Sequence, residues 1–235
     1  MYERSHTMYR TPARTFVDVK KVILSAHEDT GALDKVGFYD SWAENYEQDV
    51  AILDYRAPAL AAQCVSAFFQ GDRSGAEVLD VACGTGLVSA QLRETGFQLF
   101  TGVDGSEAML QVAKSRGIYQ NLHKCILGTE QLPVQSGLYD VVVIVGALSV
   151  GQVPVSVLQE LWLATKPGGY VCMTTRGNSD NLDYKAELEH ALGALEGRGC
   201  WRRVAVMEVA QWERAVSHLE SGYIPGAVFL YQKRF

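Results

Sequence analysis

The apolar positions of this chain change period near residue 76. From residue 35 to 69 they recur at helical spacing: Tyr39, Trp42 and Tyr46 fall at i, i+3 and i+7, and Ile52, Tyr55, Leu60 and Val65 continue the apolar faces. Pro58 marks a helix start or break within that stretch. After a linker at 71–75, short runs rich in Val, Ile and Leu alternate with helical stretches. Strands are predicted at 77–81, 99–103, about 123–127, 139–145, 170–175, about 203–209 and 227–232. Helices are predicted at 86–95, 106–115, 155–165 and about 182–197. The apolar, β-branched run at 139–145 suits a parallel strand buried on both faces. Such alternation predicts an α/β fold with a doubly wound parallel sheet. The helix after the sixth strand is missing or poor, so the last two strands are expected to pair as an antiparallel hairpin. Residues 1–34 are polar and weakly patterned, and read as a tail or loosely docked arm. The division expected is that tail, a helical segment at 35–70 and a sheet core at 71–235, the last two forming one domain.

Composition narrows the partners. A chain of 235 residues suits one α/β domain with a helical extension. With 21 Lys+Arg against 27 Asp+Glu the net charge is −6, which disfavours broad binding to a phosphate backbone. The basic pairs Lys20-Lys21 and Arg202-Arg203 read as solvated surface, and no nucleic-acid partner is expected. Cysteines at 64, 83, 125, 172 and 200 form no C-x-x-C pair and no cluster with histidine, so neither a metal nor a disulfide framework is expected. Cys125 and Cys172 sit in apolar runs and read as buried; Cys83 reads as a small turn residue. The first residues lack a signal-peptide pattern, and no apolar stretch is long enough to cross a bilayer. The expected setting is cytoplasmic, or nuclear, and the expected state is a monomer.

The candidate chemistry lies at Val78-Leu79-Asp80-Val81-Ala82-Cys83-Gly84-Thr85-Gly86. An apolar strand ends in an acid, and a glycine-rich turn leads straight into a helix. Glycines let the backbone turn tightly and approach a ligand, and the helix start offers free N–H groups. Asp104 ends the next strand, roughly 20 residues on, where an acid can accept bonds from both ribose hydroxyls. The same carboxylate also suits capping the helix at Ser106. Two ligand classes use such a cradle. A dinucleotide fingerprint, G-x-G-x-x-G, fits poorly: with Gly84 in the middle it needs a small residue at Leu87, and with Gly84 first it needs glycine at Ser89.

The pattern acid-x-small-x-Gly-x-Gly resembles motif I of the class I S-adenosylmethionine (SAM)-dependent methyltransferases, which usually have glycine where Ala82 stands. Further motifs agree in order from about residue 38 to 175, and resemble the ubiquinone-biosynthesis-like branch. Phe38-Tyr39-Asp40-Ser41-Trp42-Ala43-Glu44-Asn45-Tyr46 is similar to that branch's lid helix, and Gly102-Val103-Asp104-Gly105-Ser106-Glu107-Ala108-Met109-Leu110 to motif II. Thr129-Glu130-Gln131-Leu132-Pro133 resembles the adenine-flanking segment, Tyr139-Asp140-Val141-Val142 motif IV, and Lys166-Pro167-Gly168-Gly169 the turn before strand five. The stretches Asp54-Tyr55-Arg56-Ala57-Pro58 and Gly146-Ala147-Leu148-Ser149-Val150-Gly151-Gln152-Val153-Pro154 are similar to a methyltransferase-like branch.

This resemblance implies a seven-stranded Rossmann-like sheet in the order 3-2-1-4-5-7-6, strand seven antiparallel, under an N-terminal helical lid. It implies SAM as cofactor and S-adenosylhomocysteine as product. Ala82, Gly84, Thr85 and Gly86 would face the methionine part, with Asp80 orienting its ammonium. Asp104, Gly105 and Ser106 would face the ribose, and Met109, Thr129 and Glu130 the adenine. The family often has Asp at the place of Gly128, so the adenine amino group loses that partner here. Gly146 and Ala147 would line the crevice at the end of strand four. Trp42 and Tyr46 suit closing over the sulfonium, or simply an apolar helix face, and Arg56 suits the ligand carboxylate or a surface ion pair.

No general base stands out. Ser149 and Val150 occupy the place where related enzymes often carry histidines, and the Asn/Asp-Pro-Pro-aromatic motif of amine-directed enzymes is absent from Gly146-Ala147-Leu148-Ser149. No Pro-Cys dipeptide serves a covalent attack on cytosine. The acceptor expected is therefore a small molecule, with a protein substrate as the other option. The competing function class is a SAM-binding regulator or scaffold without catalysis.

Overall fold

A computed structural model describes residues 14–26, 31–217 and 219–235. The strands are β1 (Glu77–Val81), β2 (Leu99–Asp104), β3 (Asn121–Lys124), β4 (Tyr139–Ile144), β5 (Thr165–Arg176), β6 (Trp201–Arg214) and β7 (Tyr223–Lys233). The helices are α1 (Phe16–Ala26), α2 (Ala32–Trp42), α3 (Tyr46–Ile52), α4 (Ala57–Phe68), α5 (Leu87–Glu94), α6 (Glu107–Ser115), α7 (Leu158–Ala164) and α8 (Leu182–Gly197). One seven-stranded sheet runs β3-β2-β1-β4-β5-β7-β6. The first five strands in that order pair in parallel, and β7 runs antiparallel to both β5 and β6. This is the expected topology, including the terminal hairpin.

β4 shows why the sheet needs apolar runs. Val142 and Ile144 face one core layer, with Leu79, Val81, Met173, α7 and α8. Val141 and Val143 face the other, with Val78, Phe100, Cys172, α4 and α5. All four β4 residues have no exposed surface, so alternation along the strand fills both layers. Each such side chain contributes about 1.5–3 kcal/mol of burial free energy.

Three boundaries differ from the sequence reading. Lys166-Pro167-Gly168-Gly169 does not precede β5 but bulges within it: Thr165 pairs with Tyr139 and Tyr170 with Val141, leaving four residues opposite Asp140. β3 lies at Asn121–Lys124, because residues 126–130 close a turn in which Thr129 and Glu130 donate their N–H groups to the Ile126 carbonyl. β6 extends to Arg214 through a register shift between Val209 and Glu213, past a polar stretch that masks its strand character.

The N-terminal half also divides differently. Residues 16–26, read as part of a polar tail, form α1, which buries Val19, Ile23 and Ala26; residues 1–13 and 27–30 of that tail lie outside the described residues. These side chains join Trp42, Leu53 and Val216 in a third apolar cluster, separate from the two layers of the sheet. α4, read as part of the lid, instead packs Ala57, Ala61, Ala62, Cys64 and Val65 into the sheet's own core. The structure therefore gathers α1, α2 and α3 around a cluster of their own and packs α4 on one face of the sheet beside α5.

Candidate active site

The turn after β1 is built from left-handed backbone. Ala82 has φ 55°, Gly84 φ 52° and Gly86 φ 91°. A left-handed alanine costs about 1–2 kcal/mol where glycine would not, so the departure at Ala82 is accepted at a local strain. Asp104, at the tip of β2, clasps this turn: its Oδ2 accepts from the Gly84 N–H at 2.8 Å and its Oδ1 from the Ser106 N–H at 2.9 Å. A carboxylate has about four acceptor positions, so capacity remains for a hydroxyl donor. Burial raises the Asp104 pKa, against the N–H groups of Ser106, Gly84 and Gly105, which favour the charge. Ser106 caps α6, accepting from the Met109 N–H at 3.1 Å, and its hydroxyl donates to Asp40 of α2 at 2.6 Å. The helix cap thus doubles as a tether between sheet and lid.

Around Asp104 lies a cleft with about 790 Å³ of non-atom space, its open mouth included. That is the scale of a site for a small organic ligand. Of the expected residues, Ala82, Gly84, Asp104, Gly105, Ser106, Met109, Gly146, Ala147 and Tyr46 line it. Tyr39 of α2, named above on the lid helix, and Gln152 and Val153, within the quoted 146–154 stretch, also line it, as do Val36, Ile126 and Leu127, to which the sequence reading gave no role. Ile126 and Leu127 carried one usable signal: they follow a parallel strand's C-terminal end, where ligands of such sheets bind.

Other expected residues lie elsewhere. Thr85 lines a small adjoining cavity beneath Tyr46 and Tyr55, while Gly86 starts α5. Asp80 is buried behind the turn, where its Oδ2 accepts from the Ser89 hydroxyl at 2.6 Å and the Tyr119 hydroxyl at 2.7 Å. Burial pushes its carboxyl up to about 7, although both hydroxyls favour the charged form. Thr129 and Glu130 are exposed and do not reach the cleft; the Thr129 hydroxyl donates to the Ile126 carbonyl at 2.9 Å, and Glu130 accepts from the Ile126 N–H at 2.7 Å. They hold the turn that presents Ile126. Gly128, with φ 83°, could not carry a side chain: a Cβ would lie 2.6 Å from Pro154 Cγ. Arg56 is exposed, 3.3 Å from the Gln211 carbonyl and 3.6 Å from Asp54, because its own N–H is drawn to the Trp212 carbonyl. Trp42 is buried in the lid cluster with its Nε1–H on Asp49 at 2.8 Å, and lines a second cavity instead of the cleft.

That second cavity has about 650 Å³ of non-atom space and shares Tyr39, Tyr46, Gly146 and Gln152 with the first. Gly146, with φ 79°, is a necessary gap between the two, since a Cβ there would collide with the Tyr55 hydroxyl. Its other walls include Trp42, Trp212, Thr174, Thr175, Arg176 and Glu213. Burial pushes the Glu213 carboxyl up to about 7, partly offset by the Arg176 charge. Burial also raises the hydroxyl pKa values of Tyr39 and Tyr46, with charges from both Asp104 and Glu213 adding to the shift; both rings line both cavities.

The sheet order, the glycine turn after β1 and the acid at the tip of β2 together define the class I, Rossmann-like methyltransferase fold. Residues 72–222 match the family model described as a methyltransferase domain, and the chain belongs to that family of SAM-dependent methyltransferases. It is 50% identical over 192 residues to human Methyltransferase-like protein 27, covering 82% of this chain and 78% of that one. It is 34% identical over 108 residues to the Ubiquinone biosynthesis O-methyltransferase of Bordetella bronchiseptica, 45% of this chain and 44% of that one. Among solved structures it resembles the methyltransferase in complex with the Haloferax volcanii Trm112 methyltransferase activator, with TM-score 0.61 and 18% identity over 84% of this chain and 98% of that one, a likeness of fold. The cleft fits SAM: Asp104 lines it with acceptor capacity left for hydroxyls, beside the glycine turn and the apolar walls Met109, Ile126 and Leu127. No described helix is long and apolar enough to cross a membrane.

Proposed function

We propose that this enzyme methylates a small molecule held in the second cavity, with Glu213 as the group that takes the acceptor's proton. The observation that carries the proposal is the pair of adjoining cavities with four walls in common, Tyr39, Tyr46, Gly146 and Gln152. One has the residues of a nucleoside site, and the other is closed over by α2 and α3 and lined by aromatic rings. When bound, SAM supplies an electrophilic methyl group on a positively charged sulfur. Asp104 would hold the ribose, the Ala82–Gly84 turn the methionine part, and Met109 with Ile126 and Leu127 the adenine. Tyr39 and Tyr46 would face the positive sulfur with their π-faces and exclude water. Alignment across the shared wall then does most of the catalytic work.

Glu213 supports the proton-transfer role on position as well as acidity. It lines the acceptor cavity, and a carboxyl poised near 7 suits a general base at neutral pH. The charged and titratable groups around it include Arg176 of β5, Tyr39, Tyr46 and Tyr55, and, along a neighbouring cavity wall, Asp180, Arg214 and Glu220.

The reading is tested by calorimetry with SAM, S-adenosylhomocysteine and NAD, followed by transfer of labelled methyl into cell extract fractionated by size. SAM should bind, and label should appear in the small-molecule fraction, at a rate that rises with pH through about 7 and loses that rise in Glu213→Gln. Binding of NAD alone would overturn the cofactor site. Label in protein or nucleic acid only would overturn the small acceptor, and no label in any fraction despite SAM binding would leave the binding protein without catalysis as the better reading.

A further inference from the structure

Arg176 ends β5 on the wall of the acceptor cavity and is 7% exposed. A buried guanidinium is costly unless its donors are satisfied. Its Nη1 is satisfied, donating to Asn178 Oδ1 at 2.9 Å and to Asp180 Oδ1 at 2.6 Å. Its Nε and Nη2 are buried with no hydrogen-bond partner. Those two nitrogens share one edge of the planar group, the edge that meets a carboxylate through two parallel bonds. The fork is therefore anchored at one corner and unpaired along one buried edge. Glu213 lines the same cavity, yet no ion pair within 4.0 Å joins it to Arg176, so it does not close that edge.

We propose that Arg176 binds a carboxylate on the acceptor, so that the substrate class is a small aromatic or apolar carboxylic acid with its nucleophilic atom at the far end. This rests on the reading of the second cavity as the acceptor site. Aromatic walls, Tyr39, Trp42, Tyr46 and Trp212, suit the body of such a molecule. A single negative charge is favoured over a phosphoryl dianion, because Asp180 already neutralises part of the guanidinium and Glu213 stands nearby. Fixing the acid end at Arg176 orients the molecule along the cavity and turns its far end towards the wall shared with the cofactor cleft.

The test uses the whole protein saturated with S-adenosylhomocysteine. Benzoate, phenylacetate and 3-phenylpropanoate, their primary amides, and phenyl phosphate are titrated by calorimetry and ligand-observed NMR. At least one carboxylate should bind at least tenfold more tightly than its amide. Arg176→Gln and Arg176→Lys should both lose that preference, the lysine variant less completely because it keeps the charge without the fork. Binding of S-adenosylhomocysteine should be unchanged in both. Equal binding of acids and amides, no binding of any carboxylate, or tighter binding of phenyl phosphate overturns the proposal. The acid–amide comparison uses the unaltered chain, so misfolding of a variant does not shield the proposal. Loss of S-adenosylhomocysteine binding in the unaltered chain would instead overturn the cofactor site, and the two failures are told apart.

Discussion

At the scale of single residues, one acid organises the cofactor cleft. Asp104 holds the Gly84 turn and the start of α6 through two N–H bonds, and it lines the cleft with acceptor capacity to spare. A charge-assisted hydrogen bond contributes about 1.5–3 kcal/mol, and about 1.4 kcal/mol is tenfold in affinity. Asp104→Ala is thus expected to weaken SAM at least tenfold in calorimetry, with far-UV circular dichroism unchanged. An unaltered dissociation constant in a folded variant would remove Asp104 from the site. Asp104 and the glycines were legible in the sequence because their chemistry is local: a turn, a strand tip and a helix start within a few residues. Thr129, Glu130 and Arg56 show the limit of motif position. They stand where the resemblance puts them in the chain, but backbone bonds of their own turns direct their side chains to the Ile126 turn and to the Gln211 carbonyl.

At the scale of elements, the lid has a core of its own. Val19, Ile23, Ala26, Trp42, Leu53 and Val216 form a cluster apart from the sheet's two layers. Its links to the sheet are mostly polar: Asp40 with Ser106 and Ala108, Tyr39 with Gln152, and the Arg214 N–H on the Leu53 carbonyl. A cluster of its own, joined to the rest through such polar bonds, motivates the expectation that this unit opens separately. Residues 35–56 are accordingly expected to exchange amide hydrogens fast in the free protein and to be protected with SAM or S-adenosylhomocysteine bound, while α4 stays protected in both states. Equal strong protection of 35–56 in both states would make the segment a fixed part of the fold. Opening on this scale would admit the acceptor and release product.

At the scale of the whole molecule, two buried acids with raised pKa values link stability to pH. Asp80 moves from 3.8 to about 7 and Glu213 from 4.5 to about 7, both through burial. Between the unfolded and folded values the folded chain binds more protons than the unfolded one. The stability contributed by these groups is therefore fully present below about 4 and is lost as pH rises through about 7. Urea denaturation of the free protein should show the unfolding free energy falling between about pH 5 and 8, and Glu213→Gln should flatten that fall. A rise across the same interval, unchanged in the variant, would show that these carboxyls are not held protonated.

The sequence by itself determined the doubly wound sheet, its strand order through the resemblance, and the glycine turn after β1 with the acid at the tip of β2, because each is written in short-range periodicity and turn chemistry. Only the tertiary structure decided the acceptor cavity. Arg176 and Glu213 lie on β5 and β6, which are neighbours of β7 and not of each other, and polar residues hide the end of β6 from any periodicity. The tail's second stretch became α1 for the same reason: its apolar face gains a partner only in Trp42, Leu53 and Val216, residues far apart in the chain. Long-range pairing and burial carry no local signature, and in this protein they shape the site that selects the substrate.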